Sequence, residues 1–322
     1  MTIERMQMPH AVFHRRLGGP EVLEYAEFAS ADPAAGEVAV RVEAAGVNPI
    51  DAKLRSGLRA SPPIEGRRRV GSDGAGIVVA VGADVAGFRR GMPVVVSGAQ
   101  GTYAEEAIVP ASALALRPPA VDAETGAAIG IPVATAYQAL RSLAVGPGDR
   151  LLVHGGSGAV GQAVIQFAVR WGADVLATTS ERRADHVRAL GAVPVAYGPG
   201  LVERVRAGGT RLDVALDCAG TDEALAASVE VANDRSRVAT LVRGADAPRY
   251  GIQAYAGGAA RGLTDQQRAW RREAIPVALG LIAAGGFTVE LGPRYALRDA
   301  VRAHEDVERG TDGKILLVPD QT

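Results

Sequence analysis

Apolar residues along this chain fall into two regimes. Up to about residue 120 they come in short runs split by Gly and Pro: "EVAVRVEAAGV" (37–47), "GAGIVVAVG" (74–82) and "GMPVVVSG" (91–98). Runs of this length and composition predict the strands of a mainly β lobe. "LRPPAVD" (116–122) is a Pro-rich break and predicts a lobe boundary. Beyond it, strands and helices alternate. "DRLLVHGG" (149–156) reads as a buried strand, and "AVGQAVIQFAVRWG" (159–172) has helical spacing and stops at Gly. "ADVLATTS" (173–180) predicts a second strand and "ERRADHVRALG" (181–191) a second helix. "VPVAY" (193–197), "RLDVALDCAG" (211–220) and "SRVATLVRG" (236–244) continue the strand series. This alternation predicts a parallel, doubly wound sheet. A long amphipathic stretch, "TDQQRAWRREAIPVALGLIAAGG" (264–286), carries Pro276 as a candidate kink. "DGKILLVPD" (312–320) predicts one more strand, returning to the first lobe.

Composition narrows the class. At 322 residues the chain exceeds the usual size of a single core, so two lobes are expected. The net charge of −1 offers no electrostatic case for nucleic acid or an anionic membrane. No apolar run is long enough to cross a bilayer, and "MTIERMQMPH" lacks the apolar core of a signal peptide. Cys218 is the only cysteine, which excludes an internal disulfide and fits a reducing cytoplasm. Thirty-three arginines stand against two lysines, Lys53 and Lys314, which draws attention to both.

The stretch "HGGSGAVG" (154–161) holds the first chemistry. Gly156, Ser157, Gly158, Ala159, Val160 and Gly161 fit G-x-G-x-x-G between a predicted strand and a predicted helix. In that motif Gly156 is expected to allow the tight turn. Gly158 is expected to let a pyrophosphate approach the backbone, and Gly161 to let the helix pack on the sheet. The phosphate would sit at the helix N-terminus, where free N–H groups and the dipole favour anions. The alternative is a glycine-rich turn with no ligand. A serine-hydrolase elbow would need Gly at 159, where Ala stands. NAD-binding chains place an acid about 20 residues on, at the end of the second strand. Here Thr179 takes that place, followed by Ser180, Glu181, Arg182 and Arg183. Hydroxyls and guanidiniums favour the 2′-phosphate of NADPH, while Glu181 weighs against it.

Seven segments together carry a resemblance. They are "GGPEVLEY" (18–25), "AAGVNPIDAKLRSG" (44–57), "GSDGAGIVVAVGADVAGFRRGMPVVV" (71–96), "GTYAEEAIVP" (101–110), "PVATAYQAL" (132–140), "GDRLLVHGGSGAVGQAVIQFA" (148–168) and "DGKILLVP" (312–319). In this order they resemble the zinc-independent quinone oxidoreductase (zeta-crystallin-like) branch of the medium-chain dehydrogenase/reductase superfamily, with Ala159 standing where the family usually has a second Gly. The resemblance implies an α/β protein with a GroES-like β-rich catalytic domain and a Rossmann domain, the cofactor lying in the cleft between them. The expected boundaries are 1–120, completed by 264–322, for the first and 121–263 for the second. It also implies 2′-phosphate contacts from Ser180, Arg182, Arg183 and Tyr197. Cys218 and Gly220 would end the fourth strand at the ligand edge, with Cys218 read as packing rather than as a nucleophile. Lys314 matches a family segment that, by the resemblance, would close over the cofactor.

Zinc-dependent relatives carry Cys and His-Glu where this chain has Asn48 and Ser72-Asp73, and they have a four-cysteine lobe that is missing here. Asn and Ser are poor zinc ligands, and the five histidines show no ligand spacing, so no metal is expected. Without a Lewis acid, alcohol oxidation is disfavoured, and a quinone or enone becomes the expected acceptor. The family positions that border the nicotinamide are matched by Asn48, Lys53 and Thr135. Lys53 stands where many members have Tyr; it is read either as proton donor or oxyanion clamp, or as a solvated helix residue. Thr135 is read as a site residue or a helix-start hydroxyl. Asp51 is expected to cap a helix starting at Ala52.

The expected function is NADPH-dependent hydride transfer to a quinone or α,β-unsaturated carbonyl in the cytoplasm, by a homodimer acting on a small-molecule substrate. A polyketide-type enoyl reductase and a redox-inactive binding protein or cyclase stand as alternatives. The stretch "RYGIQAYAGGAARGLTDQQ" (249–267) matches nothing that identifies the substrate.

Overall fold

The computed structural model describes residues 8–209, 212–255 and 261–320. The opening residues 1–7, the start of the 211–220 run, and 256–260 within the 249–267 run lie outside the described residues. The chain divides into two compact units: Met1–Ile131 with Ile275–Thr322, and Pro132–Ala274. The first therefore runs beyond residue 120 and resumes at 275.

In chain order, the first unit opens with β1 (His10–His14), β2 (Glu24–Glu27) and β3 (Glu37–Gly46). There follow α1 (Pro49–Ser56), β4 (Arg68–Arg69), β5 (Asp73–Val81), β6 (Pro93–Ser97), β7 (Glu106–Pro110) and β8 (Leu114–Leu116). Helix α2 (Ala123–Ser142) continues past the unit boundary. The second unit holds β9 (Arg150–His154), α3 (Ala159–Arg170), β10 (Asp174–Thr179), α4 (Ala184–Ala189), β11 (Val193–Ala196) and α5 (Leu201–Ala207). It continues with β12 (Val214–Asp217), α6 (Asp222–Val231), β13 (Val238–Thr240), α7 (Ala247–Tyr250) and β14 (Gln253–Ala254). Helix α8 (Asp265–Ala283) leads back to β15 (Leu291–Ala296), α9 (Ala300–Arg309) and β16 (Lys314–Val318) of the first unit.

The first unit is a β structure. A seven-stranded sheet runs β15-β16-β3-β5-β6-β8, with β7 also on β3, beside a small sheet β2-β1-β4. The tail strand pairs antiparallel with β3, Leu317 opposite Ala45, as its apolar run predicts. Valines 38, 40, 42, 78, 94 and 96 form the centre of the core, which explains why the early runs are so rich in β-branched residues.

The second unit carries a six-stranded, fully parallel sheet in the order β11-β10-β9-β12-β13-β14. Numbered from β9, this is 3-2-1-4-5-6, the doubly wound dinucleotide-binding order, whose switch point lies between β9 and β12. Four of the five residues of β9 are buried, as a strand covered by helices on both faces requires. The helix predicted over 181–191 opens with a 3₁₀ turn at Glu181–Arg183 before α4. The run at 236–244 contributes only three residues to the sheet. Pro276 lies within α8, on its exposed side. Among the described residues no helix is long and apolar enough to cross a membrane.

Two helix starts differ from expectation. Helix α1 begins at Pro49, not Ala52, and its N-cap is Asn48, not Asp51. Proline is pre-shaped for the first helical position and Asn is a good cap, so the start moves upstream. Asp51 sits in the first turn and accepts the backbone N–H of Asn48 through Oδ2 at 2.9 Å. Helix α2 begins at Ala123, so the Thr135 hydroxyl lies in its interior and marks no helix start.

Candidate functional site

The glycine turn joins β9 to α3. Gly155, the residue before the motif, takes the left-handed conformation at φ +76°, so it and not Gly156 makes the turn that other residues would resist. Gly155 N–H donates to Thr178 Oγ1 (3.0 Å) and Gly156 N–H to the Thr178 carbonyl (2.9 Å), tying the turn to β10. Gly156 is required by proximity: a Cβ there would stand 2.6 Å from that of Ala177. At Gly161 a Cβ would stand 2.2 Å from the Gly155 carbonyl oxygen, so this glycine sets the distance between helix and turn. Gly158 differs. It is the N-cap of α3, at φ −77° and ψ 160°, and a Cβ would meet only the Gly155 oxygen at 3.6 Å. Among the described residues no contact demands glycine there, and the cradle is open on its outer side. The first-turn N–H groups of Ala159, Val160 and Gly161 have no intrahelical acceptor, and Ala159 itself is exposed, so its methyl is accommodated. Gln162 Nε2 braces the turn by donating to the Ser157 carbonyl at 2.8 Å. These residues fit a dinucleotide pyrophosphate.

The expected companions gather at the same sheet edge. Thr179 is buried at the end of β10, and its Oγ1 has no hydrogen-bond partner among the described residues. Ser180 precedes the 3₁₀ turn that carries Arg182 and Arg183. Register pairs Thr179 with Ala196, so Ser180 and the exposed Tyr197 emerge side by side from adjacent strands. On the other side of β9, Cys218 N–H donates to the His154 carbonyl at 3.1 Å. Asp217 Oδ1 accepts the N–H groups of Ala219 (2.9 Å) and Gly220 (2.8 Å), and its Oδ2 accepts the Thr240 hydroxyl (2.7 Å). This fixes the turn in which Gly220 takes φ +72°. Burial, and then Asp217, push the Cys218 thiol far above its usual range, so it stays protonated and packs. Burial holds His154 neutral, its pKa lowered to about 4 against the pull of Asp217 and Glu223.

The first unit holds a buried polar cluster at the N-terminal end of α1. Asn48 Nδ2 donates to Asp73 Oδ2 (2.9 Å) and to the Gly46 carbonyl (3.3 Å), and its Oδ1 accepts from Lys314 Nζ. Asp73 also accepts the N–H groups of Ile131 (2.7 Å) and Gly98 (3.2 Å). Asp51 accepts the hydroxyls of Ser72 (2.6 Å) and Tyr103 (2.9 Å). Burial raises Asp51 to about 6, opposed by the Ser72, Tyr103 and Asn48 hydrogen bonds and assisted by the nearby charge of Asp73. Burial likewise raises Asp73 and lowers Lys314, while each pulls the other back toward its charged form. Lys53 projects from α1, half-buried, its ammonium without a hydrogen bond or ion pair among the described residues. Among the described residues no three His, Cys, Asp or Glu side chains lie close enough to hold a metal ion.

Thus Gly156–Gly161, Thr179, Ser180, Arg182, Arg183, Tyr197, Cys218 and Gly220 share one edge of the second unit. Asn48 and Lys314 meet inside the first. Lys314 is only 4% exposed and bonded to Asn48, so its ammonium serves the cluster instead of an outer surface. Thr135 is buried in the second-unit part of α2. Sequence reasoning assigned no role to Tyr103, Thr178 or Thr240, whose hydroxyls organise the two sites, although each lies in a segment it had singled out. For Tyr103 the signal was its place in "GTYAEEAIVP" (101–110), one of the segments that carry the resemblance, in a chain with seven tyrosines.

Comparison with known proteins agrees with this geometry. Residues 34–119 match the family model described as alcohol dehydrogenase GroES-like domain, and residues 159–248 the one described as zinc-binding dehydrogenase. The quinone oxidoreductase of Sus scrofa is 30% identical over 94% of this chain and 95% of its own length. Quinone oxidoreductase 1 of Escherichia coli strain K12 is 32% identical over 95% and 98%. Among solved structures, the Escherichia coli quinone oxidoreductase complexed with NADPH superimposes with a TM-score of 0.83 at 29% identity, covering 96% of this chain and 100% of that one. The open glycine cradle, the parallel sheet order and these full-length likenesses together mean that the chain belongs to the quinone oxidoreductase branch of the medium-chain dehydrogenase/reductase superfamily and is an oxidoreductase that binds a nicotinamide cofactor.

Proposed function

We propose that this oxidoreductase uses NADPH and, without zinc, reduces a quinone or an α,β-unsaturated carbonyl. The observation that carries the cofactor choice is the end of β10. Where an acid would bind a ribose 2′-hydroxyl, the buried Thr179 stands, followed by Ser180, Arg182 and Arg183, with Tyr197 alongside. Guanidiniums and hydroxyls suit a phosphate dianion and would be wasted on a neutral hydroxyl. When bound, the nicotinamide supplies the hydride. The chain's own residues hold and orient: the N–H groups opening α3 take the pyrophosphate, and Gly158 leaves room for its approach.

The proposal that zinc is absent rests on the Asn48 cluster. An ammonium, Lys314, already supplies the buried positive charge beside Asn48 and Asp73, and a divalent cation there would meet like charge. The description "zinc-binding dehydrogenase" belongs to the matched family model and does not decide metal content here. With no metal to stabilise an alkoxide, acceptors activated by conjugation fit best. Lys53 on α1, whose ammonium has no acidic partner among the described residues, is our candidate for proton donor or oxyanion clamp. A cytoplasmic homodimer completes the reading, to be checked by light scattering.

The test is oxidation of NADPH against a quinone panel and an enone, with NADH in parallel and elemental analysis of the purified protein. We expect quinone turnover, preference for NADPH and no stoichiometric zinc. One zinc per chain, or equal use of both cofactors, would overturn the corresponding part.

A further inference from the structure

We infer that the first unit carries a recognition site for an acidic group on an otherwise apolar small molecule, at the C-terminal end of α1. This rests on the reductase reading, the acidic molecule being the hydride acceptor. A cavity of about 350 Å³ opens there, with Arg15, Arg16 and Arg59 in its wall beside Leu17, Pro63 and Ile64. Among the described residues no carboxylate lines it. Arg15 is paired with Glu24 at 3.2 Å, but Arg16 and Arg59 have no ion pair or side-chain hydrogen bond among the described residues. Arg68 is used differently. It donates to Ser61 Oγ (2.7 Å), to the Pro63 carbonyl (3.0 Å) and to the Pro62 carbonyl, which braces the loop that forms one wall. A braced loop and an apolar lining thus flank the exposed Arg16 and the half-buried Arg59, neither of which has a counter-charge among the described residues.

Gathering like charges around one cavity costs free energy that an anion would offset. A guanidinium binds carboxylate or sulfonate through two-point hydrogen bonds, and a neutral apolar ligand would leave both arginines unused. Leu17, 48% exposed at the rim, offers a contact for an apolar body. The cavity has the size of a small-molecule site, and the net charge of −1 argues against an extended polyanion. Its position suggests what the ligand does. Helix α1 has eight residues, hence a length of about 12 Å, with Asn48 at one end, Lys53 along it and the cavity at the other. A molecule anchored by its acid at Arg16 and Arg59 would extend its far end along α1 toward the half-buried Lys53. The acceptor class is a quinone or enone whose carboxylate or sulfonate sits on a side chain remote from the reacting carbonyl.

The test uses two matched probes, 2-propyl-1,4-naphthoquinone and the same ring bearing a propanoate chain, with NADPH as donor. The wild type is expected to favour the propanoate. The ratio of kcat/KM, propanoate over propyl, should fall roughly 5- to 30-fold in the double variant Arg16→Ala/Arg59→Ala, the scale of partly exposed charged hydrogen bonds. Arg59→Glu should push it further, and 0.5 M salt should shrink the wild-type preference. An unchanged ratio in the double variant overturns the inference, as does an equal loss on both probes. If the wild type turns over neither quinone, the reductase reading fails, and calorimetric titration of both probes then tests the cavity alone. Tighter binding of the propanoate by wild type, lost in the double variant, upholds the acid site; equal binding of both probes overturns it.

Discussion

Two glycines three residues apart should respond to the same substitution in opposite ways. In Gly161→Ala the new methyl would lie 2.2 Å from the Gly155 carbonyl oxygen and 2.8 Å from Gly156 Cα. Both are backbone atoms, so no side chain can step aside and α3 must move off the turn. Overpacking of this kind costs about 1–3 kcal/mol. For a domain of roughly 150 residues that lowers the melting temperature by about 2–4 °C per kcal/mol. Gly158→Ala meets nothing closer than 3.6 Å, and φ −77° suits alanine. The entropy lost from the unfolded chain favours the variant by about 0.4–1 kcal/mol, and a poorer N-cap opposes it by a similar amount, so stability should stay within about 0.5 kcal/mol of wild type. Its methyl would instead enter the open space where we propose the pyrophosphate binds, and on that reading NADPH binding should weaken by at least about tenfold, near 1.4 kcal/mol. Thermal melts without cofactor, paired with fluorescence titration of NADPH, separate the two effects. A Gly158→Ala variant that binds NADPH like wild type, or that melts as low as Gly161→Ala, would refute this account of the cradle.

Other outcomes follow from the same geometry. Replacing Arg182 and Arg183 with Ala should weaken NADPH by about 1.5–3 kcal/mol per charged hydrogen bond lost, toward the lower figure because Arg182 is exposed, and leave NADH affinity nearly unchanged; titration of both cofactors decides. Lys53→Met should lower kcat on an enone by about 10²–10⁴-fold with NADPH affinity retained, whereas a quinone can take its proton from water and lose less; unchanged kcat on both would remove Lys53 from the mechanism. Asp51, raised from 3.8 to about 6, keeps its proton in the folded protein after the unfolded chain has released it. Stability should therefore fall as pH rises from about 4 to 6, by at most about 3 kcal/mol, and Asp51→Asn should flatten that slope in urea unfolding followed across the window. Equal slopes in the two proteins would mean that the Asp51 carboxyl is not held in this way.

The sequence by itself determined the order of elements and the place of the glycine turn between β9 and α3. Those properties are local: valine-rich runs make strands, helical spacing makes helices, and a glycine turn between the two leaves N–H groups for a phosphate. Even there one role moved, because the motif does not reveal that Gly155 holds the left-handed conformation and Gly156 only the close approach. Tertiary structure alone decided the polar cluster. Lys314 and Asn48 are 266 residues apart, Tyr103 reaches Asp51 across 52, and no periodicity records such pairs. Asp51 reads as a helix cap until Ser72 and Tyr103 are seen to donate to it and burial to raise its proton affinity. The same holds for Arg16 and Arg59, two among 33 arginines in the sequence, which become a site only where folding sets them in one cavity without an acid. A charge acquires its meaning from its neighbours and its distance from water, and only the folded chain specifies both.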